Sequence, residues 1–213
     1  MKTKDLITML STNVEVVDRR QMPRTLGLGT GLGFVAALGS GLIALGCRPD
    51  AGSVHVLGFI VIKLIFAITI AALAVVFLTK AARPGGIQSG SMMILLLPFA
   101  VIFGLAVIAI ADAPGSHWHT VLMGDEWLEC LASVPIIAIL PFALVVWAVR
   151  QAAPTRLRQA GALAGLVAGG LSAASYALHC TADSLSFIAV WYGGTIILCA
   201  VVGWAFGPRL LRW

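Results

Sequence analysis

Charge is scarce in this sequence. Only 11% of its 213 residues are Asp, Glu, Lys or Arg, whereas a soluble domain carries about 25%. Apolar residues make up 60% of the chain, and the mean hydropathy is +1.00. A soluble fold of this size cannot bury so much apolar surface, so part of the chain must face lipid. The composition therefore excludes a cytosolic enzyme, a secreted disulfide scaffold and a disordered regulator.

Two further absences narrow the class of protein. The long apolar segments contain no Asp or Glu, whereas a pump or ion-coupled transporter usually needs several ionisable groups within the membrane. The four cysteines include no C-x-x-C pair, which weakens the case for a disulfide-generating oxidoreductase. A cleaved signal peptide also fits poorly, because the first apolar run is about 20 residues long and follows a polar leader.

Six apolar segments are each close to the ~20 residues with which an α-helix crosses the ~30 Å hydrocarbon core of a bilayer. They are Leu26–Gly46, Val56–Leu78, Met92–Ala111, Leu131–Val149, Gly161–Leu178 and Phe187–Phe206. We therefore predict an all-α fold, a polytopic membrane bundle of six transmembrane helices. Residues 1–25 form an N-terminal segment, residues 26–206 the transmembrane domain, and residues 207–213 a short tail.

The basic residues gather on one side of the predicted membrane. Twelve of the fourteen fall on the side that carries the N-terminus, namely Lys2, Lys4, Arg19, Arg20, Arg24, Lys80, Arg83, Arg150, Arg156, Arg158, Arg209 and Arg212. Because loops rich in Lys and Arg stay in the cytoplasm, both termini are predicted to be cytoplasmic. The opposite, outer side holds only Arg48, and Lys63 lies within a span.

Lys63 is a charged residue inside a predicted span. It lies about eight residues below His55, or roughly 12 Å into the membrane at helical rise. A charged Lys there costs at least ~2.5–3.5 kcal/mol on insertion scales. Its side chain either snorkels to the outer surface or points into the bundle, partly neutral or hydrogen-bonded to backbone carbonyls. The inward orientation would give it a structural or sensing role.

Candidate sensor or metal-binding groups lie at the predicted outer side. Cys130 begins the fourth span and Cys180 follows the fifth, so a short distance between them is feasible if these helices are neighbours. The possible accessory groups are His179, Cys47, His117 and His119. Imidazole and thiolate ligands suit several metals, but this spacing identifies none. Alternatively, the cysteines are small buried hydrophobes and the histidines are interfacial anchors.

The N-terminal segment is long enough to grip a soluble partner. Thr3 can cap a short helix that has Asp5 in its first turn. One apolar stripe at helical spacing then contains Leu6, Ile7, Leu10 and Val14. A helix this short is marginal in water, and it gains order by laying its apolar face in a partner's groove or on the membrane surface.

Glycines recur at four-residue spacing in two of the predicted spans. The sets are Gly27/Gly31, Gly29/Gly33 and Gly161/Gly165/Gly169. Each set occupies one helix face and predicts close approach of a neighbouring helix. A substrate path lined by small residues is the alternative, as in a small metal or solute transporter. A membrane thiol or haem oxidoreductase is a second alternative class.

Several short motifs, in this order and spacing, cover the whole chain. They are Met1–Ile7, Val17–Arg20, Arg48–Asp50, Ala82–Gly85, Cys130–Pro135, Ala153–Arg156, Tyr176–Ser184, Trp191–Tyr192 and Gly207–Trp213. This assembly resembles the negative regulator of sigma F family, the six-helix anti-sigma factors of the bacterial inner membrane.

The resemblance implies a non-enzymatic, multi-pass protein of the bacterial inner membrane. Its N-terminal segment would bind an extracytoplasmic-function sigma factor, with no direct contact to nucleic acid. Cys130 and Cys180 match the paired periplasmic cysteines that the family uses in responding to oxidative or heavy-metal stress. Lys63 falls where similar sequences often carry a Lys. No cofactor is implied beyond a transient metal ion, and neither the metal nor the oligomeric state is indicated.

Overall fold

A computed structural model describes residues 3–11, 21–50, 52–81, 89–111, 124, 127–152 and 154–212. The helices are α1 (Thr3–Ser11), α2 (Gln21–Leu45), α3 (Val54–Ala81), a 3₁₀ segment (Ser89–Leu96) that leads into α4 (Leu97–Ala111), α5 (Trp127–Arg150), α6 (Leu157–Tyr176) and α7 (Leu185–Leu210). Near its start, α7 contains a short stretch of π-helix, Ile188–Tyr192. The prediction of an all-α fold is confirmed over these residues.

Five helices in the described part of the chain, rather than six, are long and apolar enough to cross a membrane. They are Gln21–Leu45, Val54–Ala81, Met92–Ala111, Trp127–Arg150 and Leu185–Leu210. The prediction of a sixth membrane span at Gly161–Leu178 is wrong by this measure. This region forms α6, which is dominated by Gly, Ala and Ser, and such small side chains contribute little hydropathy. The cytoplasmic position of both termini stays a prediction.

α6 is the central helix of the bundle. It packs most extensively on α7, and then on α3, α5 and α2. The backbone of α7 lies directly against two glycines of α6: a Cβ on Gly161 would collide with the carbonyl of Gly203, and one on Gly165 with the carbonyl of Cys199. Most of α6 is buried in this way, so protein, and not lipid, surrounds the least apolar of the long helices.

The glycines of α2 divide between two environments. Gly29 and Gly33 face α5, where a Cβ would meet Ala148 and Pro141 respectively. Gly27 and Gly31 face open space. The predicted close packing therefore holds for one of the two sets in this helix.

The bundle has two large core clusters, one toward each end. The first end, called the basic end here, contains Leu26, Leu78, Val149, Ala160 and Leu211 in one apolar cluster. The second, called the thiol end, contains Ile70, Cys130, Tyr176, Cys180 and Tyr192. The connections after α2 and after α6 meet at the thiol end, which is where the candidate site lies.

Candidate functional site

The connection from α6 to α7 sets the positions of Cys180 and Asp183. After α6 ends at Tyr176, the backbone N–H of Cys180 donates to the Tyr176 carbonyl at 3.0 Å and completes a tight turn. The chain then leaves the helical conformation until Ser184, which caps α7 by accepting a bond at 3.0 Å from the N–H of Phe187. Cys180 and Asp183 thus lie at opposite ends of a short non-helical segment.

The end of α2 brings Arg48 to this segment. Gly46 has a φ of +76°, the left-handed conformation that commonly terminates a helix and favours glycine. Its N–H donates to the carbonyl of Leu42 at 3.1 Å. Two residues later, the N–H of Arg48 donates to the carbonyl of Leu178 at 3.2 Å and joins the two connections. The Arg48 side chain is consequently enclosed, with 2% of it exposed.

The guanidinium of Arg48 uses all five of its N–H donors. Nε and Nη2 donate to the two oxygens of Asp50 at 2.7 and 2.9 Å. Nη1 and Nη2 donate to the two oxygens of Asp183 at 3.0 and 3.1 Å. The remaining Nη1 donor reaches the backbone carbonyl of Cys180 at 3.0 Å. Such paired, charge-assisted bonds are among the strongest available to a side chain.

Lys63 on α3 donates to two of the groups that Arg48 also contacts, the Cys180 carbonyl and the Asp183 carboxylate. Its side chain is completely buried, and Nζ donates to the carbonyl of Cys180 at 3.1 Å and to Oδ1 of Asp183 at 3.2 Å. Of the two orientations that the sequence left open, the structure has the inward one, with a backbone carbonyl as one partner. The acidic partner was missed, because Asp183 lies outside every predicted span.

Arg48, Asp50, Lys63 and Asp183 form what we call the ion cluster. Two cations face two carboxylates, so the cluster is neutral. Hydrogen bonds from Arg48 lower the pKa of Asp50, and those to Asp50 and Asp183 raise the pKa of Arg48 above its ordinary value. A buried ion pair offsets the loss of hydration only when its geometry satisfies most donors and acceptors, as it does here.

Cys130 and Cys180 lie together in the apolar cluster of the thiol end. Both side chains are fully buried, with 0% exposure, and both are thiols, not a disulfide. Tyr192 is fully buried in the same cluster. The Tyr192 ring also packs against Tyr176, with centroids 5.9 Å apart. Tyr192 was absent from the predicted site residues, since only the folded structure places it in one cluster with both cysteines.

The two predicted accessory groups that the structure describes, His179 and Cys47, lie in different environments. The His179 ring packs against Tyr176 with centroids 5.9 Å apart, and Cys47 is exposed. His117 and His119 lie outside the described residues. Within the described ranges, no three His, Cys, Asp or Glu side chains are arranged to hold a metal ion.

The candidate sigma-binding residues belong partly to α1. Thr3, Asp5 and Ile7 are exposed on this short helix. Leu6 and Leu10 are within its bounds, but their side chains lie outside the description, as does Val14. The predicted helix is therefore present, and the predicted apolar stripe is described only at Ile7.

Five helices of the described residues are apolar and long enough to cross a membrane, and a buried ion cluster joins chain segments at one end of the bundle. These features are typical of a polytopic helical membrane protein. The sequence model for the negative regulator of sigma F matches residues 10–213, and the chain belongs to that family. This confirms the resemblance that its motifs indicated.

Two curated relatives are similar to the chain over its whole length. The probable anti-sigma-F factor NrsF of Azospira oryzae is 32% identical over 213 residues, covering 100% of both chains. The anti-sigma-F factor NrsF of Caulobacter vibrioides is 34% identical over 222 residues, again covering 100% of both. No solved structure matches the chain significantly.

Proposed function

We propose that this protein is an anti-sigma factor of the bacterial inner membrane that sequesters an extracytoplasmic-function sigma factor and releases it under periplasmic oxidative or heavy-metal stress. The observation that carries this proposal is the full-length similarity to two relatives named as anti-sigma-F factors. The five apolar helices of membrane length support a membrane location. The protein acts by binding and conformational change, without catalysis.

The N-terminal segment, residues 1–25, is the proposed binding segment for the sigma factor. It contains α1, whose described side chains are exposed, and it leads directly into α2. An isolated helix of nine residues is marginal in water, so a groove on the sigma factor would order it. While the sigma factor is held in this way, RNA polymerase cannot recruit it.

Cys130 and Cys180 are the proposed sensor. An oxidant would accept two electrons and two protons from the two thiols as their sulfur–sulfur bond forms; a thiophilic metal ion would instead displace both protons and bind the two thiolates. Because both side chains have 0% exposure, either reaction requires the thiol end to open or repack. The reaction thereby changes the packing of α5 against the end of α6.

The signal must then cross the bundle to the N-terminal segment. α5 packs along α2, and Gly29 near the start of α2 lies against Ala148 near the end of α5. A tenfold change in sigma-factor occupancy requires a coupling free energy of only about 1.4 kcal/mol. A change in how α5 sits on α2 is the route that we favour.

Deletion of residues 2–20 tests whether the N-terminal segment binds the sigma factor. We expect loss of repression in a sigma-dependent reporter strain, with normal insertion of the truncated protein in the membrane. A pull-down with residues 1–25 should capture the sigma factor, as the full-length protein does. Persistence of the protein's activity without residues 2–20 would instead favour an oxidoreductase or a transporter.

Replacing both sensor thiols tests the second half of the proposal. The variant Cys130→Ser with Cys180→Ser should still repress the reporter but respond at least tenfold less to oxidant or metal. Cys199→Ser is the matched control, because Cys199 is also a buried cysteine but lies at the interface of α6 and α7. An unaltered response in the double variant would refute sensing by these thiols.

A further inference from the structure

The backbone carbonyl of Cys180 is held by two cations from different parts of the chain. Arg48, just after α2, donates to it at 3.0 Å, and Lys63 on α3 donates to it at 3.1 Å. A carbonyl oxygen has two lone pairs, and here each has a charged donor. The position of Cys180 is therefore fixed by α2 and α3, and not only by the helix that precedes it.

The same two cations also hold the other end of the segment. Asp183 accepts from Arg48 through both carboxylate oxygens and from Lys63 through Oδ1. The segment Cys180–Asp183 is non-helical, so it has no regular helical ladder of its own. Its two ends are fastened to one pair of side chains, which lie deep in the bundle with 2% and 0% of their surface exposed.

The Cys180 thiol lies at the buried end of this segment. It is fully buried in the cluster with Cys130 and Tyr192, whereas Asp183 at the other end of the segment retains some exposure. Displacing the segment from Arg48 and Lys63 would release the Cys180 backbone, and the thiol with it. The ion cluster thus opposes the opening that any reagent needs in order to reach this sulfur.

We propose that Lys63 and Arg48 are positioning residues for the Cys180 thiol, and that their bonds to the Cys180 carbonyl and to Asp183 form a clamp that sets how readily this thiol reacts. The clamp itself is a property of the thiol end. Its role as the threshold of a stress response rests on the function proposed above. An intact clamp keeps the sensor silent at low oxidant, and a weakened clamp lowers the concentration at which it responds.

Alkylation of Cys180 measures the clamp directly. Membrane vesicles that contain the full-length protein are treated with N-ethylmaleimide, and modification of each cysteine is followed over time by mass spectrometry. In Lys63→Met we expect Cys180 to react at least ten times faster than in the wild type. The matched control is Lys80→Met, the same change on the same helix, where the exposed cation contacts only the Phe77 ring in the described structure, 5.3 Å from its centroid. It should stay within twofold of the wild type.

Two other cysteines in the same molecule distinguish a released clamp from a loosened bundle. Exposed Cys47 should react at one rate in every variant, and Cys199, in the interface of α6 and α7, should stay within twofold. A parallel increase at Cys199 would mean general loosening and would overturn the proposal. An unchanged Cys180 rate in Lys63→Met would overturn it equally.

Conservative variants keep the test decisive if Lys63→Met does not accumulate in the membrane. Arg48→Lys retains the cation but loses the forked geometry, so Cys180 should react severalfold faster. Asp183→Glu keeps the carboxylate and should remain nearer to the wild type than Asp183→Asn. Equal alkylation rates in Arg48→Lys, Asp183→Asn and the wild type would overturn the clamp. Because alkylation involves no sigma factor, the clamp and the anti-sigma role are tested by separate readouts.

Discussion

The two ends of the bundle use charge in opposite ways. At the thiol end, Arg48 and Lys63 are buried and their donors reach carboxylates and a backbone carbonyl. At the basic end, the cations of α3, α5 and α7 are exposed, as at Lys80, Arg150 and Arg209. Arg158 there lies over the Trp204 ring at 4.7 Å. Charge holds separate chain segments together at one end and remains on the surface at the other.

This difference determines what each end contributes. Exposed cations contribute little to stability, but Lys and Arg in short loops orient a membrane protein. Buried, bonded cations have little influence on orientation, but removing one partner leaves an uncompensated charge. We therefore expect substitutions at the thiol end to change stability and thiol chemistry, and those at the basic end to have small effects on both.

The largest effect is expected for Asp183→Asn. This change leaves Arg48 and Lys63 buried with the half-exposed Asp50 as the only carboxylate of the cluster. The free energy of unfolding should fall by about 3 kcal/mol, at the low end for a broken buried pair because Asp183 is 16% exposed. Thermal unfolding of the purified protein in detergent, followed by circular dichroism, measures it. Arg209→Gln at the basic end is the control and should change stability by less than about 0.5 kcal/mol. Similar losses in both variants would remove the contrast between the ends.

A double-mutant cycle sharpens the comparison within the cluster. Lys63→Met and Asp183→Asn remove groups that touch at 3.2 Å, so their effects should not add. We expect the double variant to be more stable, by about 1–2 kcal/mol, than the sum of the single effects predicts. The same unfolding measurement gives the coupling. Simple additivity would show that Lys63 and Asp183 do not stabilise each other.

At the basic end, the Arg158 contact should be detectable but small. Arg158→Gln removes the cation over the Trp204 ring and should reduce stability by about 0.5–1 kcal/mol, as expected for an exposed cation–π contact. Arg156→Gln is the neighbouring control, since Arg156 is exposed and bonds only to the Gln159 side chain, at 3.4 Å, in the described structure. A loss as large as that in Asp183→Asn would contradict the assignment of a surface role to these cations.

Within the ion cluster, the smallest effect is expected at Asp50, whose side chain is 56% exposed, and it depends on pH. Arg48 lowers the pKa of the Asp50 carboxyl, so the contribution of this group is fully present above its unfolded pKa of about 3.9 and is lost as pH falls through the lower folded pKa. The stability difference between wild type and Asp50→Asn at pH 7 should therefore shrink as the pH falls towards 3. Unfolding curves from pH 7 to pH 3 test this. A difference that grows in acid would contradict the lowered pKa of Asp50.

The sequence predicted most of the fold because lipid-facing helices can be recognised from their length and hydropathy. Five predicted spans correspond to helices of membrane length. α6 was misjudged because the regular glycines that fit it against α7 also lower its hydropathy. A helix surrounded by protein does not have to be apolar throughout, and no count along the chain reveals that it is surrounded.

The site was less predictable than the fold. Lys63 stood out because it is a charge within an apolar run, but its partner Asp183 is 120 residues away in sequence. Only the packing of α3 against α6 brings them together. The scarcity of cations on the predicted outer side could have indicated the ion pairs. Arg48 and Lys63 are the two cations in or next to that side, so they were the two available to pair with its acids. The position of Tyr192 in the cluster of both thiols left no such signal.

The enclosed position of α6 has a consequence for biogenesis. The ribosome completes α6 before α7, so the least apolar of the long helices is made before the partner on which it packs most extensively. Its glycine face then lacks the closely fitting helix that fills it in the folded bundle. We expect α6 and α7 to leave the insertion machinery together, as a helical hairpin, with the α6 glycines already against α7.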